Sequence, residues 1–163
     1  MNAIADVQSS PDQRNMPINQ VGIKDLHFPL QIQSAEGVQH TIARIGMTVA
    51  LPASQKGTHM SRFVALMEER QHLVLDFTSL HQLTLDMLER LDAQAGRITI
   101  SFPFFRKKAA PVSGITSFLD YAVTWQGEVS ASGEYSHQIK VLVPVTSLCP
   151  CSKEISQYGA HNQ

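Results

Sequence analysis

The chain has few of the residues that mark several common protein classes. Only two of its 163 residues are cysteine, and no apolar run approaches the ~20 residues that a transmembrane helix needs. The two cysteines are one residue apart, a spacing that rarely meets disulfide geometry, so we predict a reducing, cytoplasmic setting. The N-terminus lacks the charged-then-apolar pattern of a signal peptide, and no glycine-rich nucleotide loop of the Walker or dinucleotide type is present.

The chain also has no large excess of charge of either sign. The 13 basic and 14 acidic residues give a net charge of −1, which provides no bulk attraction to nucleic acid or to an anionic membrane. We therefore predict neither as a partner, and expect any anion recognition to be local. Apolar residues at 43% and charged residues at 17% are typical of one globular domain at this length.

Hydrophobic periodicity predicts an α+β fold for residues 21–163, preceded by an extended or disordered arm over residues 1–20. Strand-like alternation reaches Ile32, a turn follows over residues 34–37, and the next strand buries alternate residues from Ile45 to Leu51. Two helices and three further strands complete the order β-β-α-α-β-β-β. An antiparallel sheet with both helices on one face leaves its other face to be covered by oligomerisation or by a second domain.

The first predicted helix carries a cluster of basic residues at its start. Thr58 is its expected N-cap, and apolar residues recur at helical spacing to about Arg70. Lys56, His59 and Arg62 lie around this helix N-terminus, where an anion could bind; a solvated polar face is the alternative.

The second predicted helix begins after Ser79, which forms a capping box with Gln82, and stops at Gly96. Its apolar stripe indicates core packing. Of the three strands that follow, the first two are joined by a predicted basic loop over residues 106–111. Lys107 and Lys108 of this loop could bind a polyphosphate, or could simply be solvated.

The last residues hold both cysteines. Pro150 suits the first position of a helix over residues 151–158, and Gly159 suits the position just past its end. Cys149 would then lie at the helix N-cap, where the helix dipole favours a thiolate, and the chain could double back to bring His161 toward it. Thiolate and imidazole suit a divalent metal, but spacing alone favours a small buried cysteine and a loop histidine.

Several segments together carry a family resemblance. They are K-G-T-H-M-S-R-F at 56–63, F-P-F-F-R-K-K at 102–108 with A-P-V-S-G at 110–114, and P-V-T-S-L-C-P-C-S-K-E at 144–154 leading into G-A-H-N-Q at 159–163. The chain resembles GTP cyclohydrolase of type IB, a prokaryotic family that opens folate and pterin biosynthesis. The resemblance covers nearly the whole chain.

This resemblance implies a tunnelling-fold unit within a homotetramer whose active sites lie between subunits. The implied reaction converts GTP and water to 7,8-dihydroneopterin triphosphate and formate. Cys149, a catalytic residue, and His161 match the family's ligands for a divalent ion, either zinc, manganese or iron. In the family a glutamate ligand and the acidic residue that anchors guanine lie beyond Gln163, so we expect a truncated chain.

Other residue roles rest on charge and position. We assign the triphosphate to Lys56, His59, Arg62, Lys107 and Lys108. Cys151 is expected to pack as a small apolar group.

Two alternatives stay open. One is a nitrile reductase of the queuosine pathway, which shares the fold and would use Cys149 as a covalent nucleophile; the segments at 56–63 and 147–152 argue against it. The other is a folded subunit or fragment that assembles without catalysing.

Overall fold

The computed structural model describes residues 11, 13–110, 113–145, 147–148, 150–155 and 160–161. In chain order, the elements are β1 (Ile18–Ser34), β2 (Gly37–Leu51), α1 (Met60–Glu69), β3 (Val74–Leu75), α2 (Phe77–Arg90), β4 (Gly96–Ala109), β5 (Thr116–Val129), β6 (Tyr135–Leu142), β7 (Ser147–Leu148), α3 (Pro150–Ile155) and β8 (Ala160–His161). None of the described helices is long and apolar enough to cross a membrane.

Six strands form one mixed sheet in the order β3-β1-β2-β4-β5-β6, curled into a half-barrel. Neighbouring strands are antiparallel, except that β3 pairs in parallel with β1. The predicted α+β class and tunnelling-fold unit are confirmed, and the long elements follow the predicted order. The two-residue strands β3, β7 and β8 were not predicted, because two residues are too short to show a period.

Both helices cover the same face of the sheet. Alternate residues of the central strands are fully buried there, among them Ile45, Met47, Ile98 and Ile100. The helices contribute a second layer of buried side chains: Phe63, Leu66, Met67, Leu80, Leu83, Met87 and Leu88. The other face of the sheet has no helix among the described elements, which leaves its side chains available to solvent or to a ligand.

The helix starts differ from the sequence predictions. The N-cap of α1 is His59 rather than Thr58, and no side-chain hydrogen bond caps it. The N-cap of α2 is Asp76, whose carboxylate accepts from the Ser79 backbone N–H at 2.7 Å, so Ser79 occupies the N3 position of the capping box and not its N-cap. The predicted partner Gln82 instead donates to Asp86 at 2.8 Å. A carboxylate is the better N-cap at this spacing, which moves the start of α2 three residues earlier.

Strand boundaries differ too. Strand β1 begins at Ile18, three residues inside the predicted arm, and Gly96 opens β4 rather than ending α2. The predicted basic loop at 106–111 is wrong: β4 continues to Ala109, paired with β5, because its backbone can pair while its charged side chains stay in water.

Strand β6 is an edge of the sheet. It ends at Leu142, short of the predicted Val145, and its alternate apolar residues Ile139 and Val141 are 42% and 51% exposed. Helix α2 reaches only the start of this edge, where Phe77 packs against His137 and His81 stacks on Tyr135. The apolar row, which continues to Val143 and Val145, therefore remains uncovered in a single chain.

Candidate functional site

The segments on either side of α3 pair with one another. Strands β7 and β8 are antiparallel, with Leu148 opposite Ala160 and Ser147 opposite His161. The chain therefore doubles back after α3, and the residue before Cys149 lies across from the residue before His161. Residues opposite one another in such a ladder have Cα atoms about 5 Å apart, within the reach of side chains that share a metal ion.

Cys149 itself and the side chain of His161 fall outside the described residues, so their role as metal ligands stays a prediction. A thiolate and an imidazole are suitable ligands for a divalent ion, since both bind zinc and iron. The described residues contain no cluster of three or more side chains able to hold a metal.

Helix α3 begins at Pro150, as predicted, because proline has no N–H to leave unpaired at a first helical position. The structure describes this helix only to Ile155. Cys151 is a free, exposed thiol, so the prediction that it packs as a small apolar group is wrong. The other described side chains of α3, at residues 150 and 153–155, are also exposed, so the described part of this helix offers no core for Cys151 to fill.

The first predicted group of cations lies where β2 ends and α1 begins. Lys56 is exposed, whereas Arg62 donates from Nη1 to the backbone carbonyl of Arg90 at 3.2 Å. That carbonyl is one of the unpaired acceptors at the end of α2, so Arg62 ties the two helices together. Nearby, Arg90 binds Glu69 at 2.5 Å and, through this hydrogen bond, lowers the pKa of Glu69 below its ordinary value.

The second predicted group lies on β4. Lys107 and Lys108 are consecutive strand residues, so their side chains point to opposite sides of the strand. Lys107 is directly across from Phe118 on β5, and its Nζ lies 6.0 Å from the centre of that ring. Only Lys107 of the two lines the adjoining groove.

The two groups of cations lie at opposite ends of the sheet. Arg62 contacts the end of α2, close to the start of β4 at Gly96, and Lys107 follows Gly96 by eleven strand residues, roughly 35 Å along the strand. One chain therefore cannot place both groups on a single triphosphate. Strand β6 runs toward the Lys107 end, and β7 begins five residues after β6 ends.

A groove beside Lys107 was not predicted. It has a volume of about 510 Å³ and is lined by Ser34, Glu36, Gln39, His40, Phe105, Lys107 and Phe118. A signal for it was present in the sequence: Phe104 and Phe105 are adjacent in a strand, so one of the two rings must face away from the core.

A curled sheet with two helices on one face, ending in a paired segment that carries a cysteine and a histidine, defines a tunnelling-fold unit with a candidate metal site. The chain belongs to the family described as type I GTP cyclohydrolase folE2, whose family model matches residues 4–163. This confirms the resemblance predicted from the motifs.

Among curated relatives, the protein named GTP cyclohydrolase FolE2 from Neisseria gonorrhoeae is 69% identical over 163 residues, which is 100% of this chain and 63% of the relative. Proteins of the same name from Ralstonia nicotianae and Herminiimonas arsenicoxydans are 54% identical over 158 residues and 53% identical over 163 residues. These alignments cover 97% and 100% of this chain, and 58% and 62% of the respective relatives. The chain thus spans about three-fifths of the length of the curated relatives it matches.

Proposed function

We propose that this chain is the metal-binding and phosphate-binding part of a GTP cyclohydrolase. The reaction would convert GTP and water to 7,8-dihydroneopterin triphosphate and formate, at the start of folate biosynthesis in the cytoplasm. The observation that carries the proposal is the β7–β8 pairing, which brings together the segments of Cys149 and His161 in a family whose members are named for this activity.

The residues of the chain have separate tasks in this proposal. Cys149 and His161 hold a divalent metal, either zinc, manganese or iron, and a cysteine at a helix N-terminus is well suited to bind as thiolate. When bound, such a metal makes a water molecule acidic near neutral pH and polarises an adjacent carbonyl. Because His161 is committed to the metal, the proton for the leaving nitrogen must come from another group.

Lys107 and Lys108 point to opposite sides of β4, so the triphosphate is assigned first to Lys107, which lines the groove at the end of the sheet toward which β6 carries the chain. Lys56 and His59 lie at the far end and can reach the same triphosphate only from a neighbouring copy. This separation supports a site assembled between subunits, and the uncovered apolar edge at β6 supports an oligomer, which the family resemblance suggests is a homotetramer.

The test is formate release from GTP by the protein produced at the length of its relatives, stripped of metal and reloaded with Mn²⁺ or Zn²⁺. We expect formate after reloading, none in the presence of a chelator, and none from Cys149→Ala. A matched Cys151→Ala variant should retain activity, because Cys151 lies on the exposed surface of α3. A reloaded wild-type protein that releases no formate would refute the proposal.

A further inference from the structure

A β-bulge in β1 shapes a cavity on the face of the sheet that the helices leave open. The register of β1 against β2 shifts after Ile23, so that Lys24 and Asp25 together face the single residue Gly46. The backbone of Asp25 has a φ of 56°, in the left-handed region that few residues other than glycine adopt. Bulges and left-handed residues recur at binding sites, where they change the direction of a side chain.

Gly46 forms the floor of this cavity. Apart from its chain neighbours, a Cβ added there would have only the Ile23 carbonyl oxygen within 4 Å, at 3.8 Å, so the space above Gly46 is open. The walls follow from the register, because residues two apart on a strand, and residues directly opposite, share a face. Arg44 and Thr48 flank Gly46 on β2, and Thr99 lies opposite it on β4. The cavity between them has a volume of about 370 Å³.

Three charged side chains line the cavity without neutralising one another. Lys24, Asp25 and Arg44 are exposed, and within the described part of the chain none of them makes an ion pair or a side-chain hydrogen bond. Their opposite charges are therefore too far apart for direct contact. Arg97, another cation of the wall, is already paired with Glu128 at 2.9 Å. Among the described residues, the cavity thus offers two positive groups and one negative group that are unpaired.

This arrangement is complementary to one class of small molecule. An acidic α-amino acid carries two carboxylates and one ammonium group, the reverse of the charges of Lys24, Arg44 and Asp25. A guanidinium can bind a carboxylate through two parallel hydrogen bonds, and the hydroxyls of Thr48 and Thr99 can donate to carboxylate oxygens. Phosphate is a poorer match, because it has no positive group for Asp25 and would be repelled by that carboxylate.

We propose that the cavity above Gly46 binds a free acidic α-amino acid, with its carboxylates at Arg44 and Lys24 and its ammonium group at Asp25. The bulge gives the site both charges, since in a regular strand Lys24 and Asp25 would point to opposite faces. The site uses none of the residues assigned to the metal or to the triphosphate. The proposal is therefore independent of the cyclohydrolase reaction.

The test is calorimetric titration of this chain with L-glutamate and L-aspartate, and with two analogues that each lack one group. Glutarate has no ammonium group, and L-glutamine has only one carboxylate. Both analogues should bind about tenfold more weakly than L-glutamate, since each loses one charge-assisted contact. Arg44→Ala and Lys24→Ala should each weaken the binding of L-glutamate to a similar extent, with the fold checked by circular dichroism.

Asp25→Asn gives a result that a purely structural role for Asp25 would not produce. Asparagine is also tolerated in the left-handed region, so the bulge should be kept. L-Glutamate should bind this variant about tenfold more weakly than wild type, whereas glutarate should bind it more tightly, because the repulsion by the Asp25 carboxylate is gone.

Lys140→Ala is the matched control for the lysine and arginine variants. Lys140 lies on the same face of the sheet as Arg44, three strands and roughly 14 Å away, so its loss should leave the affinity for L-glutamate unchanged. Absence of binding of both amino acids to wild type would overturn the proposal, as would equal affinity for L-glutamate in wild type, Arg44→Ala and Lys24→Ala. Tighter binding of inorganic phosphate than of L-glutamate would also overturn it, and would make the cavity a site for simple anions.

Discussion

The guanidinium of Arg62, in the first turn of α1, donates to the backbone carbonyl of Arg90 at the last turn of α2, with an Nη1–O distance of 3.2 Å. This contact joins the two helices that cover the sheet. The same guanidinium was assigned to the triphosphate from the sequence. A structural role and a substrate-binding role therefore compete for Arg62.

Replacing Arg62 with alanine should therefore lower stability. We expect a loss of about 1 kcal/mol in the free energy of unfolding, since one charged hydrogen bond to an otherwise unpaired carbonyl is lost at an exposed position. Urea denaturation followed by circular dichroism measures this loss. Lys56→Ala, at an exposed loop position nearby, is the control and should change stability by less than about 0.5 kcal/mol. Unchanged stability in Arg62→Ala, with weakened binding of GTP, would favour the phosphate role instead.

The N-cap of α2 gives a prediction with a defined pH dependence. The Ser79 backbone N–H, followed by the Ser79 hydroxyl, holds the pKa of Asp76 below its ordinary value of 3.8. A lowered pKa in the folded state means that the carboxylate stabilises the fold above pH 3.8, and that this contribution is lost as the pH falls through the folded-state pKa.

Asp76→Ala should thus cost about 1 kcal/mol near pH 7. The difference in unfolding free energy between wild type and Asp76→Ala should shrink as the pH is lowered below 3.8. Asp76→Asn is the matched control, because asparagine caps helices nearly as well and does not titrate. Urea denaturation of the three proteins across this pH range measures the effect. A difference that stayed constant with pH would contradict the assigned cause.

Much of the fold followed from periodicity. Alternation predicted that Ile45, Met47, Ile98 and Ile100 would share one buried face, and all four do. The ends of helices were less predictable, because two capping residues can lie within one turn of each other. Both Asp76 and Ser79 are good N-caps, and only the packed position of α2 selects between them.

The candidate site was predicted in pieces rather than as an arrangement. Sequence identified basic residues near Arg62 and near Lys107, but spacing along a chain does not tell which end of a sheet each one reaches. The end of the β2–β4 ladder at Arg44 and Ser101 was also missed, because the sequence of one strand does not show where its neighbour stops pairing with it. That information is tertiary, and a single-strand pattern does not contain it.

The close pairing of β1 with β2 gives a stability prediction. Gly22 lies opposite Thr48, and a Cβ at this position would overlap the Met47 carbonyl oxygen and lie 2.8 Å from the Thr48 Cα. Gly22→Ala should therefore cost about 3 kcal/mol, because backbone atoms would have to separate. Gly46→Ala is the matched control, since its added Cβ would lie 3.8 Å from the Ile23 carbonyl. Thermal unfolding compares the two, and equal losses would show that the strands are less tightly paired than described.

Metal binding by the α3 segment can be tested directly on this chain. Cobalt(II) is a spectroscopic substitute for zinc, and a thiolate ligand gives it an intense near-ultraviolet charge-transfer band. We expect this band when the reduced, metal-free chain is titrated with Co²⁺, because the β7–β8 pairing brings the segments of Cys149 and His161 together. It should disappear in Cys149→Ala, weaken in His161→Ala and persist in Cys151→Ala. A band lost with Cys151→Ala alone would move the metal to the exposed thiol of α3 and would contradict the assignment of Cys149. A folded chain with no band in any variant would show that Cys149 and His161 do not hold a metal without ligands from outside residues 1–163.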